Sequence, residues 1–322
     1  MASIDFSKLP KFSDLPVRPG APRDSTWGVF GDDDEVGCVN LLTQEGIVSA
    51  ARLVKNGKAF RLDMPIGYGS PPLFGRGAPR HSIIRFSGSL GHDDQLDHFN
   101  TQEGSQWDGL GHAGDAESNA FYNGFKRDQI KRGPEGKLGI HHWANRLVGR
   151  GVLIDAFKYR ADQGRPIDPG ETDIYTIDDL ENAAKAQGLD LKPADILLVR
   201  TGWLQHYLGL SPEEKEALGT RDGLRACGLD SSREMARWLW DQRVAALATD
   251  NPSVESWPWD RDRGSLHVRA IALLGLPLGE QFNLEELASD CQRDGVYEFM
   301  LVSAPLHLQG GIASPPNVLA IK

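Results

Sequence analysis

A chain of 322 residues with 40% apolar and 25% charged side chains is long and apolar enough to bury a substantial core, which excludes a disordered or low-complexity protein. Its net charge of −10 argues against a nucleic-acid surface. No apolar run approaches a membrane span and residues 1–11 lack the apolar segment of a signal peptide, so a cytoplasmic protein with no membrane partner is expected.

The three cysteines, Cys38, Cys227 and Cys291, are widely spaced, with no second Cys or His beside them, and read as reduced packing residues. Residues 1–26, rich in Pro, Ser and charge, read as an extended arm lying over the surface or on a partner subunit. Residues 27–322 read as a single domain. The acidic run 32–35 lacks the alternating ligands and closing Glu of a calcium loop, and reads as a solvated turn before a helix capped by Thr43. Residues 59–66 and 81–87 read as strands, joined by a Gly/Pro-rich connection, 67–79, that is too long for a tight hairpin and suits the border of a pocket.

Residues 101–112 concentrate the chemistry. Gln102, Gln106, Asp108 and His112 are oxygen and nitrogen donors suited to a divalent metal and to proton transfer. Gly104, Gly109 and Gly111 between them let the backbone turn tightly. A polar loop that caps its own backbone would use the same residues, so spacing alone leaves both readings open. Trp107, Tyr122 and Phe125 are candidates to line a cavity for a flat, small-molecule substrate.

Further on, residues 152–155, 195–200, 244–249 and 299–304 read as buried strands, and 176–187, 211–218, 231–243 and 266–274 as helices. Thr176 and Asp179 form a capping-box pair, and Gly188 closes the helix they begin. Asp250 ends a strand beside Pro252 and reads as a turn cap rather than a catalytic acid. Residues 310–316 read as a terminal loop. Strands alternate with helices and nothing repeats, which argues for one α/β domain with a mixed sheet. Neither a dinucleotide fingerprint, a phosphate loop nor a Gly-x-Ser-x-Gly elbow is present.

The central stretch resembles the metal-dependent cyclase family, which includes bacterial kynurenine formamidase and isatin hydrolase. That family carries His-x-Gly-Thr-His-x-Asp-x-Pro-x-His. Here Gly104, Ser105, Asp108 and His112 match it, whereas Gln102 and Gln106 stand where the family has its two early His, and Leu110 replaces the Pro. Trp27-Gly28 with Asn40-Leu41-Leu42-Thr43, Arg200-Thr201-Gly202-Trp203, Leu266-His267, Leu278-Gly279-Glu280 and Gly311-Ile312-Ala313-Ser314-Pro315-Pro316-Asn317 extend the resemblance almost to the C-terminus. It implies a swivelling β/β/α fold, with a mixed β-sheet core flanked by helices, in a homodimer or homotetramer. It also implies a metal bound by Gln102, Gln106, Asp108, His267 and Glu280, with Asp108 and His112 in the catalytic machinery and His112 as the acid/base group. Carboxamide in place of imidazole weakens a zinc site, so the ion implied is manganese, zinc or magnesium.

Three functions follow. The first is a metal-assisted hydrolase of a small amide, lactam or lactone. The second is a metal-independent lyase, isomerase or cyclase using Asp108, His112 and Glu280. The third is a non-catalytic small-molecule binding protein whose metal site has decayed.

Overall fold

The computed structural model describes residues 4–322. Its thirteen strands, among the described residues, are β1 (Ala59–Arg61), β2 (Arg80–Arg85), β3 (His92–Asp97), β4 (Gln106–Asp108), β5 (Val148–Asp155), β6 (Ile174–Tyr175), β7 (Ile196–Arg200), β8 (Gly228–Leu229), β9 (Ala246–Thr249), β10 (Leu278–Glu280), β11 (Glu298–Ser303), β12 (Ala313–Ser314) and β13 (Val318–Ile321). The α-helices are α1 (Gln44–Ala51), α2 (Ala156–Asp162), α3 (Ile177–Ala186), α4 (Trp203–Gly209), α5 (Pro212–Leu218), α6 (Arg233–Asp241) and α7 (Glu285–Asp294).

Nine strands make one mixed sheet in the order β1-β13-β11-β5-β7-β9-β10-β4-β12. Its centre, β5-β7-β9-β10, is parallel, and both flanks are antiparallel. The chemistry of the strands explains the division. β7 and β9 are Ile, Leu, Val and Ala runs up to their last residues, Arg200 and Thr249, and they are buried throughout, as parallel strands covered on both faces must be. Outer strand β13 alternates buried and more exposed residues. Helices α2 and α3 cross from β5 to β7, and α4 to α6 lie between β7 and β9 in sequence. The expected α/β fold with a mixed sheet flanked by helices is present.

Several local expectations hold. Thr43 caps α1 by accepting from the Gly46 amide, and Thr176 with Asp179 forms the capping box of α3. Asp250 accepts from the amides of Thr201 and Gly202 and from the Thr201 hydroxyl, so it caps the turn after β7. All three cysteines are free and buried. Others are corrected. The strand expected over 59–66 ends at Arg61, the helix expected over 266–274 is a π-helix from Val268 to Leu274, and the terminal loop contains β12. The first three residues of the expected arm lie outside the described residues. From residue 4 onward it packs on α6, where Pro10 accepts from the Trp240 indole and Asp241 accepts from the Phe12 amide.

A buried acid fastens α7 to the sheet edge. Asp290 accepts from Lys58, just before β1, at 2.8 Å and from Arg293 at 2.7 Å, and Lys322, just after β13, lies 3.3 Å away. The Lys58 bond, set against burial and joined by Arg293 and Lys322, lowers the Asp290 pKa from 3.8 to about 2. The folded value is the lower one, so this stabilisation is present above the ordinary aspartate range and disappears as pH falls toward 2. Asp290→Asn should therefore unfold at lower denaturant than wild type at pH 6, and the gap should close on approaching pH 2. A gap independent of pH would mean that the ion cluster is not its source.

Candidate metal and acid/base site

The site is built where β10 meets β4, with Glu280 opposite Gln106 and Gly279 opposite Trp107. Strand alternation sends Gln106, Asp108 and Glu280 to one face and Trp107 to the other. On the first face the Gln106 NH₂ donates to Glu280 Oε2 at 2.7 Å and to Asp108 Oδ1 at 3.1 Å. On the reverse face Trp107 is fully buried against Phe282, and its indole donates to Ser303. Gly279 lies between these layers; a Cβ there would stand 2.5 Å from that of Ala248.

The segment before β4 is stitched down. Glu103 accepts from the Gly67 amide. Ser105 accepts from the Met64 amide and donates to the Gln281 carbonyl, so its one hydroxyl proton is committed to backbone. Gln102 then reaches Asp108 Oδ1 with its NH₂ at 2.7 Å, and the same NH₂ faces His112 Nδ1 at 3.1 Å.

These contacts correct the expectation that the Gln oxygens face an ion. Gln106 Oε1 accepts from Arg76 at 3.3 Å, while both NH₂ groups point at carboxylates. The opposite orientation would set carbonyl oxygen against carboxylate at both residues, and at Gln106 NH₂ against guanidinium as well. Charge therefore fixes both amides.

Two imidazoles face the remaining oxygen of Asp108. Oδ2 is buried without a hydrogen-bond partner, 3.7 Å from Nε2 of His112 and 3.7 Å from Nε2 of His267. His267 Nδ1 lies 3.3 Å from Glu255 Oε1, so both ring nitrogens of His267 face carboxylates. His112 Nδ1 accepts from Gln102, which puts the proton of its neutral ring on Nε2. Glu280 Oε1 lies 3.1 Å from His267 Nε2.

Sequence reasoning missed Glu255. It is buried, and it accepts from the His267 amide at 3.1 Å and from the Ser265 hydroxyl at 3.0 Å in addition to the ring contact. Val254, just before it, is held at φ +57, a left-handed conformation that costs a β-branched residue about 1–2 kcal/mol. Asn251 holds this turn by donating to the carbonyls of Cys227, Val254 and Glu255. No local pattern marks Glu255; only the fold brings residues 255 and 267 together.

The electrostatics follow from burial. Desolvation would raise the Asp108 pKa, but His112, His267 and Arg76 outweigh it and lower the value. Glu280 is raised to about 7, by burial first and then by the Asp108 charge. Burial lowers His112 despite Asp108, so the ring is neutral at pH 7. Burial acts the same way on His267, but Glu255, Asp108 and Glu280 prevail and raise it well above the ordinary value. That concentration of negative charge holds a proton on His267, and a divalent cation can take the proton's place.

The donor set fits such an ion. One oxygen of buried Asp108 has no hydrogen-bond partner, His267 Nε2 becomes a donor atom once a cation displaces its proton, and Glu280 adds a second carboxylate. Asp108, His112 and His267 each place a ligand-capable atom within 4.8 Å of the others. Two donors bound to one ion with bonds near 2.1 Å stand roughly 3–3.5 Å apart, close to the separations found here.

A cavity of about 400 Å³ opens beside these groups, lined by Phe74, Arg76, His112, Arg221, Trp257, Trp259, His267 and Glu280. The connection 67–79 therefore does border a pocket. The aromatic residues expected to line it do not. Trp107 packs behind the sheet, and buried Tyr122 donates to Asp34. Phe125 lies under Lys137, outside the cavity lining. All three are apolar bodies beside turns, and the core claimed them.

Fold and site together describe an α/β protein with a buried carboxylate–imidazole centre at a cavity floor. The cyclase family model, described as "Putative cyclase", matches residues 51–256. The solved structure of a novel cyclase is 33% identical, covers 92% of this chain and 97% of its own, and superposes with a TM-score of 0.82. An isatin hydrolase bound to the product analogue thioisatinate shares the fold at 13% identity, covering 87% of this chain and 98% of its own, with a TM-score of 0.56. So does isatin hydrolase A from Labrenzia aggregata bound to benzyl benzoate, at 17% identity, 86% and 96% coverage and a TM-score of 0.54. Comparison with curated proteins finds no match. The chain belongs to the cyclase family.

Glu255→Gln keeps the side-chain volume but turns one oxygen into a donor, so either the His267 amide or its Nδ1–H loses its acceptor. The expected cost is about 1–3 kcal/mol of unfolding free energy, read by denaturant titration. Wild-type stability in this variant would show that Glu255 does not hold His267.

Proposed function

We propose that the protein is a metal-assisted hydrolase of a small amide, lactam or lactone. The observation that carries this reading is the bare Oδ2 of Asp108, a buried carboxylate oxygen with no hydrogen-bond partner and two imidazoles facing it. A buried anionic oxygen left without a partner is costly unless something else occupies its front. Asp108, His267 and Glu280 would hold the ion. A set of two carboxylates and one imidazole suits manganese as well as zinc. When bound, the ion polarises the substrate carbonyl and lowers the pKa of water toward neutrality.

The chain's own groups do the rest. Glu255 holds the His267 backbone and ring so that Nε2 faces Asp108 Oδ2, where it would bind the ion in place of its proton. Gln102 and Gln106 hold Asp108 by its other oxygen, so the first can rotate only with the loss of two amide contacts. His112, with its proton on Nε2 and its ring at the cavity, would give that proton to the leaving nitrogen or oxygen while a proton from the attacking water replaces it, so the ring is neutral before and after the reaction. Arg76 stands over the same floor as a fixed positive charge for the oxyanion that develops at the carbonyl. Ring opening by water and ring closure with loss of water share one transition state, so a family described as cyclases is compatible with this chemistry.

Elemental analysis of protein purified without chelator should find near-stoichiometric manganese or zinc, and His267→Ala or Glu280→Ala should lower that content. His112→Ala should keep the metal but lose roughly a hundredfold or more in turnover of aryl lactams and lactones. Turnover that survives chelation unchanged would replace this reading by the metal-free acid/base one. Absence of both metal and turnover would favour a binding protein.

A further inference from the structure

The cavity has two chemically different ends. Its floor is the carboxylate–imidazole centre, and its outer wall is aromatic and cationic. The Arg221 guanidinium lies 4.6 Å from the Trp257 ring centre, 5.9 Å from that of Trp259 and 6.0 Å from that of Phe74. The Arg76 guanidinium lies 5.1 Å from the Phe74 ring centre. The rings support one another edge-on: Trp257 is 5.1 Å from Phe74 and 4.8 Å from Trp259.

Arg221 is fixed at both ends. Its carbonyl accepts from the Trp257 indole at 3.1 Å, and its guanidinium rests on the rings. The charge itself has no protein partner: among the described residues no carboxylate comes within 4 Å of either Arg221 or Arg76. In a chain with 45 acidic against 35 basic side chains, two unpaired arginines on one cavity wall stand out. Phe74 is held at φ +60, a strained conformation for an aromatic residue, and its ring is part of that wall.

A guanidinium spread over indole rings offers a planar fork of donors to an anion, and the rings beside it offer flat apolar surface. We infer that the substrate is a flat aromatic amide, lactam or lactone bearing a carboxylate remote from the bond that is cut. The ring lies against Phe74, Trp257 and Trp259. The remote carboxylate is received by Arg221, which determines specificity rather than taking part in the bond cleavage. This inference rests on the hydrolase reading for the reacting bond, but not for the binding that tests it.

Isothermal titration with phenylacetate and with its neutral isostere phenylacetamide separates the two. Both are titrated into wild type, Arg221→Ala and Arg221→Gln, each as purified and after treatment with chelator, so that any carboxylate contact with a metal is visible. Wild type should bind phenylacetate at least about tenfold more tightly than phenylacetamide, with or without chelator. Both variants should lose that preference and keep their affinity for the neutral probe. Arg221→Gln preserves most of the side-chain length, and among the described residues the Arg221 side chain makes no hydrogen bond whose loss could unfold the protein. Equal affinity of wild type for the two probes, or an unchanged preference in the variants, would overturn the inference. So would inorganic phosphate competing as well as phenylacetate, because a site for any small anion needs no ring. None of these outcomes touches the metal content or turnover on which the hydrolase reading stands.

Discussion

Everything at the cavity floor depends on how one carboxylate, Asp108, is held. It is fully buried, and its two oxygens live in different worlds. Oδ1 is saturated by the amides of Gln102 and Gln106, while Oδ2 has only imidazole nitrogens in front of it. Two neutral donors on one side fix the direction of the carboxylate without cancelling its charge. A lysine or arginine in their place would have cancelled it, and the attraction that raises His267 would have gone with it.

The glutamines thus have a physical role in their own right rather than being weakened histidines. An amide can donate twice from one nitrogen, and Gln106 does so, bridging Asp108 to Glu280 across the β4–β10 pair. This keeps two buried acids in register without bringing their charges into contact. It also splits their protonation: Asp108 is held as the anion, whereas Glu280 is lifted to about 7. The centre combines a permanent negative charge with an acid that titrates near neutrality, an arrangement open both to ion binding and to proton exchange.

How much of this was legible in the sequence depends on the range of the forces involved. Thr43, Thr176 and Asp179 act on backbone within three residues, and their caps were readable. The apolar runs of β7 and β9 were readable for the same reason. β4 and β10, by contrast, are three residues each, with no periodicity to detect, and they exist because each pairs with the other across about 170 residues of chain. The motif on β4 therefore looked like a loop. Gln102, Gln106, Asp108, His112, His267 and Glu280 nonetheless converge on one floor. The aromatic residues were misplaced because a ring near a turn carries no sign of whether it faces a cavity or a core. Trp257 and Trp259, which do face the cavity, sit in a loop that packing alone orients, and Glu255 is invisible without it.

The left-handed backbone at Val254 sets stability against function. Most residues would leave that conformation if they could, and the turn persists because Asn251 and the neighbouring strand grip its carbonyls. Glycine at this position would relax the backbone in the folded state while widening the range of directions in which Glu255 could be presented. A search for sturdier variants would thus be drawn to the one bend whose stiffness keeps an imidazole aimed, and its gains in thermal tolerance would be taken from the sharpness of the site.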